Sequence, residues 1–150
     1  MNTQRIILPN EILLGEVAAM LKEGHSVVLM TKGNSMLPFI VGGRDSVELV
    51  RRDAHVPGDI ALAQITPGHY VLHRVISVDN GRVTLKGDGN LVGTEKCTTE
   101  DICGTVAAIV HPGGRRTACG TKAFARKSRA WASLPYIIRR YTLSIIRRII

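Results

Sequence analysis

The chain predicts a mostly β domain with a short helix near its start and an amphipathic helix at its end, and three observations carry that prediction. Short apolar runs rich in Val, Ile and Leu recur between turn residues, at 27–30, 46–51, 60–64, 70–78, 82–86 and 102–110. Asp79-Asn80-Gly81 separates two of these runs, and Asn-Gly between alternating apolar stretches is the strongest short-range hairpin signal. Apolar residues at helical spacing occupy 12–21 and again 134–149.

At 150 residues and 45% hydrophobic content, the chain suits one domain with its own core and is too apolar for wholesale disorder. Its net charge of +8 is unevenly spread: residues 1–110 hold ten Lys or Arg against twelve Asp or Glu, and residues 111–150 hold ten against none. The expected division is a slightly acidic body, 1–112, followed by a basic linker and helix, 113–150. Cys97, Cys103 and Cys119 are odd in number and match neither metal-ligand pairs nor a redox spacing, so free thiols are expected, with no disulfide framework and no zinc site.

From the N-terminus, Ile6-Ile7-Leu8 is stopped by Pro9 and Asn10, too short for a secretory apolar region or a membrane span. Asn10 is the expected cap of a short helix whose Ile12, Leu13, Val17, Met20 and Leu21 should pack on the sheet before Gly24 ends it. The strand at 27–30 then runs into Thr31-Lys32-Gly33-Asn34-Ser35-Met36-Leu37-Pro38. Gly33 lets the backbone bend there, so Ser35 is presented at a strand end, and Pro38 fixes φ and stiffens the turn. A serine hydroxyl is a weak nucleophile until a base lies within hydrogen-bond reach.

Gly42-Gly43-Arg44-Asp45 breaks the chain before the strand at 46–51, and Pro57-Gly58-Asp59 opens the strand that begins at Ile60. Along 70–78, Val71, His73 and Val75 share one face, and Leu72, Arg74 and Ile76 share the other. His73 therefore lies among apolar neighbours, a setting that disfavours an imidazolium and leaves the ring able to accept a proton.

Four motifs in order, Ser35-Met36-Leu37-Pro38, Gly58-Asp59-Ile60, His73-Arg74-Val75 and Lys86-Gly87-Asp88, resemble the signal peptidase I superfamily of serine peptidases, which also contains the self-cleaving SOS-response repressors. The resemblance covers 27–110 and implies a signal-peptidase-like coiled β-sheet with Ser35 as nucleophile. Most bacterial members carry a lysine base immediately before the arginine of the third motif. His73 stands there in this chain, which is similar to the Ser/His subtype of endoplasmic-reticulum, archaeal and some Gram-positive signal peptidases. Asp88 is the expected orienter of His73, although Gly89 stands where the family most often has Asn directly after the Asp. Backbone N–H groups of Asn34 and Ser35 are the expected oxyanion donors, and Gly58-Asp59 is expected to shape the site without a catalytic task. His25, His55, His69 and His111 fall in no matching motif.

Residues 115–129 read as a basic linker, and 134–150 as a helix beginning beside Pro135. Its wheel places Arg139, Arg140, Arg147 and Arg148 in one half and Leu134, Ile138, Tyr141, Ile145 and Ile149 in the other. Paired arginines in so short a stretch argue against a spanning helix. With Trp131 and Tyr136 just upstream, the pattern suits a helix lying on an anionic membrane, and Trp131, Arg139, Arg140, Arg147 and Arg148 are the expected lipid contacts. Isoleucines matched to the arginines argue against nucleic acid as the partner.

The expected function is that of a serine endopeptidase, without metal or cofactor, that cuts leader or signal-like segments after small residues, held peripherally at a membrane and otherwise cytoplasmic. Two alternatives stand beside it: an inactive module of the same shape that binds a membrane or partner through its tail, and a self-cleaving regulator.

Overall fold

The computed structural model describes residues 10–150, so the segment Ile6-Ile7-Leu8 and its reading lie outside the described residues. In chain order the elements are α1 (Asn10–Lys22), β1 (Val27–Met30), β2 (Ser46–Val50), β3 (Ile60–Thr66), β4 (His69–Asp79), β5 (Arg82–Lys86), β6 (Glu95–Thr98), β7 (Ile102–Val110), β8 (Arg116–Ala118), α2 (Lys122–Ser133) and α3 (Tyr136–Ile149). The strands build one antiparallel sheet in the order β1-β2-β7-β3-β4-β5-β6, with β8 added beside β7. The mostly β architecture with a helix at either end is the one expected.

β7 is the hub, because its Thr105 stands opposite both Val50 of β2 and Ala61 of β3. One residue earlier, a Cβ on Gly104 would sit 2.7 Å from a methyl carbon of Leu21, so the bare glycine lets α1 lie directly on the strand. α1 presents Val17 and Leu21 to the core. Ile12 and Met20, expected on the same face, are 54% and 43% exposed, because at about 100° per residue Met20 lies roughly 80° and Ile12 roughly 160° from the middle of the buried stripe. At the β4–β5 hairpin Asn80 and Gly81 both have positive φ, 49° and 77°, the backbone that a two-residue type I′ turn requires.

Apolar residues fill both faces of the sheet. The larger cluster gathers Val17 and Leu21 of α1, Met36, Ile40, Val47, Leu49, Ile60, Leu62, Val106, Ile109 and Phe124. The smaller holds Ala61, Ala63, Val75, Val83 and Leu85 on the opposite face.

The chain after residue 112 departs from the expected linker. β8 pairs with β7, and α2 starts at a cap in which Thr121 Oγ1 accepts from the Phe124 N–H at 3.1 Å. Phe124 enters the main core, and Trp131, seven residues and two turns later, packs with Leu143 of α3 against Leu37 and Val41. Reading 115–129 by charge alone missed this pair at helical spacing. No described helix is long and apolar enough to cross a membrane.

Candidate active site

β1 stops at Met30, and the chain turns through 33–39 under the control of a buried anion. Asp45, with no exposed side-chain surface, accepts from the Val41 N–H at 2.9 Å, from Arg44 at 3.0 Å on each oxygen, and faces His111 Nδ1 at 3.1 Å. Its backbone carbonyl accepts from both Thr31 Oγ1, at 2.7 Å, and the Thr31 N–H. Burial alone would raise the Asp45 carboxyl, but the bonds from Arg44, Val41 and His111 outweigh it and hold the group below the usual carboxylate range. Gly33, at φ +72°, lies against Gly42, where any Cβ would overlap the Gly33 backbone. Asp45 thus fixes where the turn bearing Ser35 leaves the sheet. The sequence reading passed over it because its partner His111 lies 66 residues away.

Within the turn, Leu37 N–H donates to the Asn34 carbonyl at 3.2 Å and Phe39 N–H to the Met36 carbonyl at 3.0 Å. Met36 and Leu37 are buried, while Ser35 is half-buried and Asn34 exposed. Among the described residues, the N–H groups of Asn34 and Ser35 enter no backbone hydrogen bond, so both remain available as donors.

The opposite wall is the end of the β4–β5 hairpin. Arg74 is paired with Lys86, so the next step of the ladder sets His73 opposite Gly87 with their Cβ directions on one face. A Cβ on Gly87 would meet the Ser35 carbonyl oxygen at 2.5 Å, and Gly89 N–H donates to that same oxygen at 2.8 Å. The Ser35 backbone is therefore held against Gly87 and Gly89 by close contacts that only glycines permit. No hydrogen bond joins the Ser35 hydroxyl to His73 among the described residues.

His73 is 5% exposed and stands opposite Ala61, whose small side chain leaves room for the ring. Its Nδ1 lies 2.9 Å from Glu95 Oε1. The oxygen sits off the direction of the ring N–H, so the pair is a charge contact rather than an aligned hydrogen bond. Among the described residues Nε2 enters no hydrogen bond. Glu95 reaches this face because it pairs with Leu85, which pairs with Val75, two residues from His73.

Asp88, expected to orient His73, belongs to the other face. It follows Lys86 by two residues and so shares the side of Arg74, whose Nε and Nη2 bind its carboxylate oxygens at 3.2 and 2.6 Å. Burial pushes the Asp88 carboxyl upward, and Arg74 and, to a lesser degree, His73 oppose that push. Arg74 Nη1 also donates to the Gly58 carbonyl at 2.9 Å, and the guanidinium lies 5.4 Å from the ring centres of Phe39 and Phe124. Strand alternation thus gives Arg74 and Asp88 a structural task and leaves Glu95 beside the imidazole. Sequence reasoning missed Glu95 because β6, a four-residue strand rich in polar residues, gave no apolar alternation.

Of the expected lipid contacts, Trp131 is 8% exposed and its Nε1 donates to the Asp88 carbonyl at 3.0 Å. Arg147 Nη2 donates to the Gly89 carbonyl at 3.2 Å, Arg139 is half-buried, and Arg140 and Arg148 are exposed. The tryptophan is core because it fills the gap between the Ser35 turn and α3.

Two cavities flank these elements. A groove of about 130 Å³ runs between α1, the end of β1 and the start of β4, lined by Leu13, Met30, Thr31, Lys32, Tyr70 and Leu72 among others, with none of Ser35, His73 and Glu95 in its lining. A larger one, about 440 Å³, opens between Gly58-Asp59 and α2 and contains none of Ser35, His73 and Glu95. Cys97 and Cys119 are free thiols pushed up by burial to about 11, which makes them poor nucleophiles. Among the described residues no group of three or more His, Cys, Asp and Glu side chains is arranged to hold a metal ion. Comparison with known protein families and with curated proteins finds no match to this chain.

Proposed function

We propose that the protein is a serine endopeptidase of the signal-peptidase type, acting through Ser35 and His73 on leader or signal-like segments. The observation that carries the reading is the close approach of the Ser35 backbone to Gly87, the residue after the Lys86 that pairs with Arg74, together with a carboxylate 2.9 Å from His73 Nδ1. In this reading Ser35 Oγ attacks the scissile carbonyl carbon as its proton passes to His73 Nε2, and Glu95 stabilises the imidazolium. The oxyanion forms against the free N–H groups of Asn34 and Ser35. His73 then protonates the leaving amine. Water, activated by the same nitrogen, hydrolyses the acyl-enzyme and restores the serine. Closure of the hydroxyl onto Nε2 accompanies substrate binding, since catalytic hydrogen bonds tighten in the complex. The narrow groove beside β1, an edge strand, suits an extended peptide with small side chains.

A fluorophosphonate probe followed by mass spectrometry tests the assignment. The expected result is one adduct on Ser35, absent from Ser35→Ala and strongly reduced in a folded His73→Ala. Labelling that persists in both variants overturns the reading.

The same proposal places the protein peripherally at anionic lipid. Ile137, Tyr141, Ile145 and Ile149 of α3 are 60%, 66%, 59% and 77% exposed, beside exposed Arg140 and Arg148, in a segment that contains no acidic residue. Co-sedimentation with phosphatidylglycerol vesicles and not with phosphatidylcholine vesicles is expected, and equal behaviour toward both removes the lipid role.

A further inference from the structure

We propose that α2 and α3 form a clamp that positions the Ser35 turn, with Trp131 and Arg147 as its positioning residues; the catalytic consequence rests on the peptidase reading above. A single peptide group carries the coupling. The carbonyl between Asp88 and Gly89 accepts from Trp131 Nε1 at 3.0 Å, and the N–H of that same group donates to the Ser35 carbonyl at 2.8 Å. Because the C=O and N–H of a trans peptide point in opposite directions, one rigid plane bridges the indole on one side and the serine backbone on the other. Each bond polarises the next along such a chain. Arg147 holds the following carbonyl, that of Gly89, at 3.2 Å, so two consecutive carbonyls of the loop are pinned by the two helices.

Packing acts in the same direction. Leu37 and Val41, from the serine turn and the residues after it, are buried with Trp131 and Leu143, and Leu91 and Ile146 pack against them. The loop also closes on the turn directly: a Cβ on Gly89 would meet the Asn34 carbonyl oxygen at 2.7 Å. The two helices therefore hold both walls of the site, the serine turn through Leu37 and the loop through its carbonyls. Rotation of the 88–89 peptide away from Trp131 would release the Ser35 carbonyl with it.

The test uses the full chain with Trp131→Phe, which keeps an aromatic ring and removes only the indole donor, together with Arg147→Met and Arg147→Lys. Amide hydrogen exchange at Gly89 is measured by NMR alongside the β2–β7 ladder amides, and fluorophosphonate labelling of Ser35 in parallel. Loss of one such hydrogen bond should speed Gly89 exchange roughly three- to tenfold in Trp131→Phe and in Arg147→Met with the ladder unchanged. Labelling should slow to a similar degree, and Arg147→Lys should restore most of both. Wild-type Gly89 exchange in Trp131→Phe and Arg147→Met overturns the clamp, as does acceleration spread equally over the ladder. Should the wild type take no label, the peptidase reading fails, and Gly89 exchange alone still decides the clamp.

Discussion

Replacing Glu95 by Gln and, separately, Asp88 by Asn distinguishes the carboxylate that serves His73 from the one that serves the fold. Coulomb's law at 2.9 Å gives about 1.4 kcal/mol with the screening of water and about 6 kcal/mol at an effective dielectric constant of about 20. The Glu95 side chain is 26% exposed and that of His73 7%, so the contact falls between these limits. At about 1.4 kcal/mol per factor of ten, Glu95→Gln should lower the rate of Ser35 labelling by roughly 10²- to 10³-fold, with little change in melting temperature. Asp88→Asn instead leaves the Arg74 guanidinium, 7% exposed, without its counter-charge. Stranding a buried ion in this way costs about 3–5 kcal/mol, equivalent in a chain of this length to a melting temperature lower by roughly 10 °C. Stopped-flow labelling and thermal melts on both variants make the comparison. Wild-type labelling in Glu95→Gln, combined with lost labelling and an unmoved melt in Asp88→Asn, would refute the assignment and return Asp88 to the role first expected of it.

Further outcomes follow from the same contacts. Gly87→Ala places a methyl 2.5 Å from the Ser35 carbonyl oxygen, so stability should fall by about 1–3 kcal/mol and labelling should slow; urea melts that match the wild type refute the close approach. Asp45 is held below the ordinary carboxylate range, so its contribution is complete above the unfolded value of about 4 and is lost as pH falls through the native value. Asp45→Asn should therefore flatten the acid limb of stability measured by urea melts across that range, and an unchanged limb counts against the network. Cys97 and Cys119, pushed up to about 11, should react with a disulfide reagent near pH 8 roughly 10²-fold more slowly in the native protein than in urea, and equal rates refute their burial.

What the sequence disclosed and what it withheld follow from the range of each interaction. β4, β5 and their Asn80-Gly81 turn were legible because alternation and turn chemistry are local, and the alternation also placed His73 and Arg74 on opposite faces. The side on which Asp88 lands depends on the pairing of Arg74 with Lys86. That register is not encoded locally, so the motif Lys86-Gly87-Asp88 pointed to Asp88, and nothing in the sequence pointed to the Glu95 that lies beside the ring. β6 and β8 are short and polar and exist because a neighbouring strand offers them partners. α2 was concealed by its own charge. Its first six residues, Lys122 to Lys127, set three basic and two small residues around the one Phe124 that the sheet buries.

The two faces of α3 allow site-clamping and lipid docking to be separated. Successive residues on a helix advance by about 100°, so Leu143 and Arg147, four apart, share the side that meets the body, while Tyr141 and Ile145, each two residues from Leu143, lie roughly 200° away. A helix lying on lipid through Tyr141 and Ile145 need not release Gly89. Tyr141→Asp with Ile145→Asp should therefore lose co-sedimentation with anionic vesicles while Ser35 labelling stays within about twofold of wild type, as for surface changes that touch no buried contact. Arg147→Met should do the reverse, slowing labelling and leaving sedimentation largely intact. If each variant instead lost both properties in parallel, the helix would be docking and clamping as one unit, and the separation of its faces would be wrong.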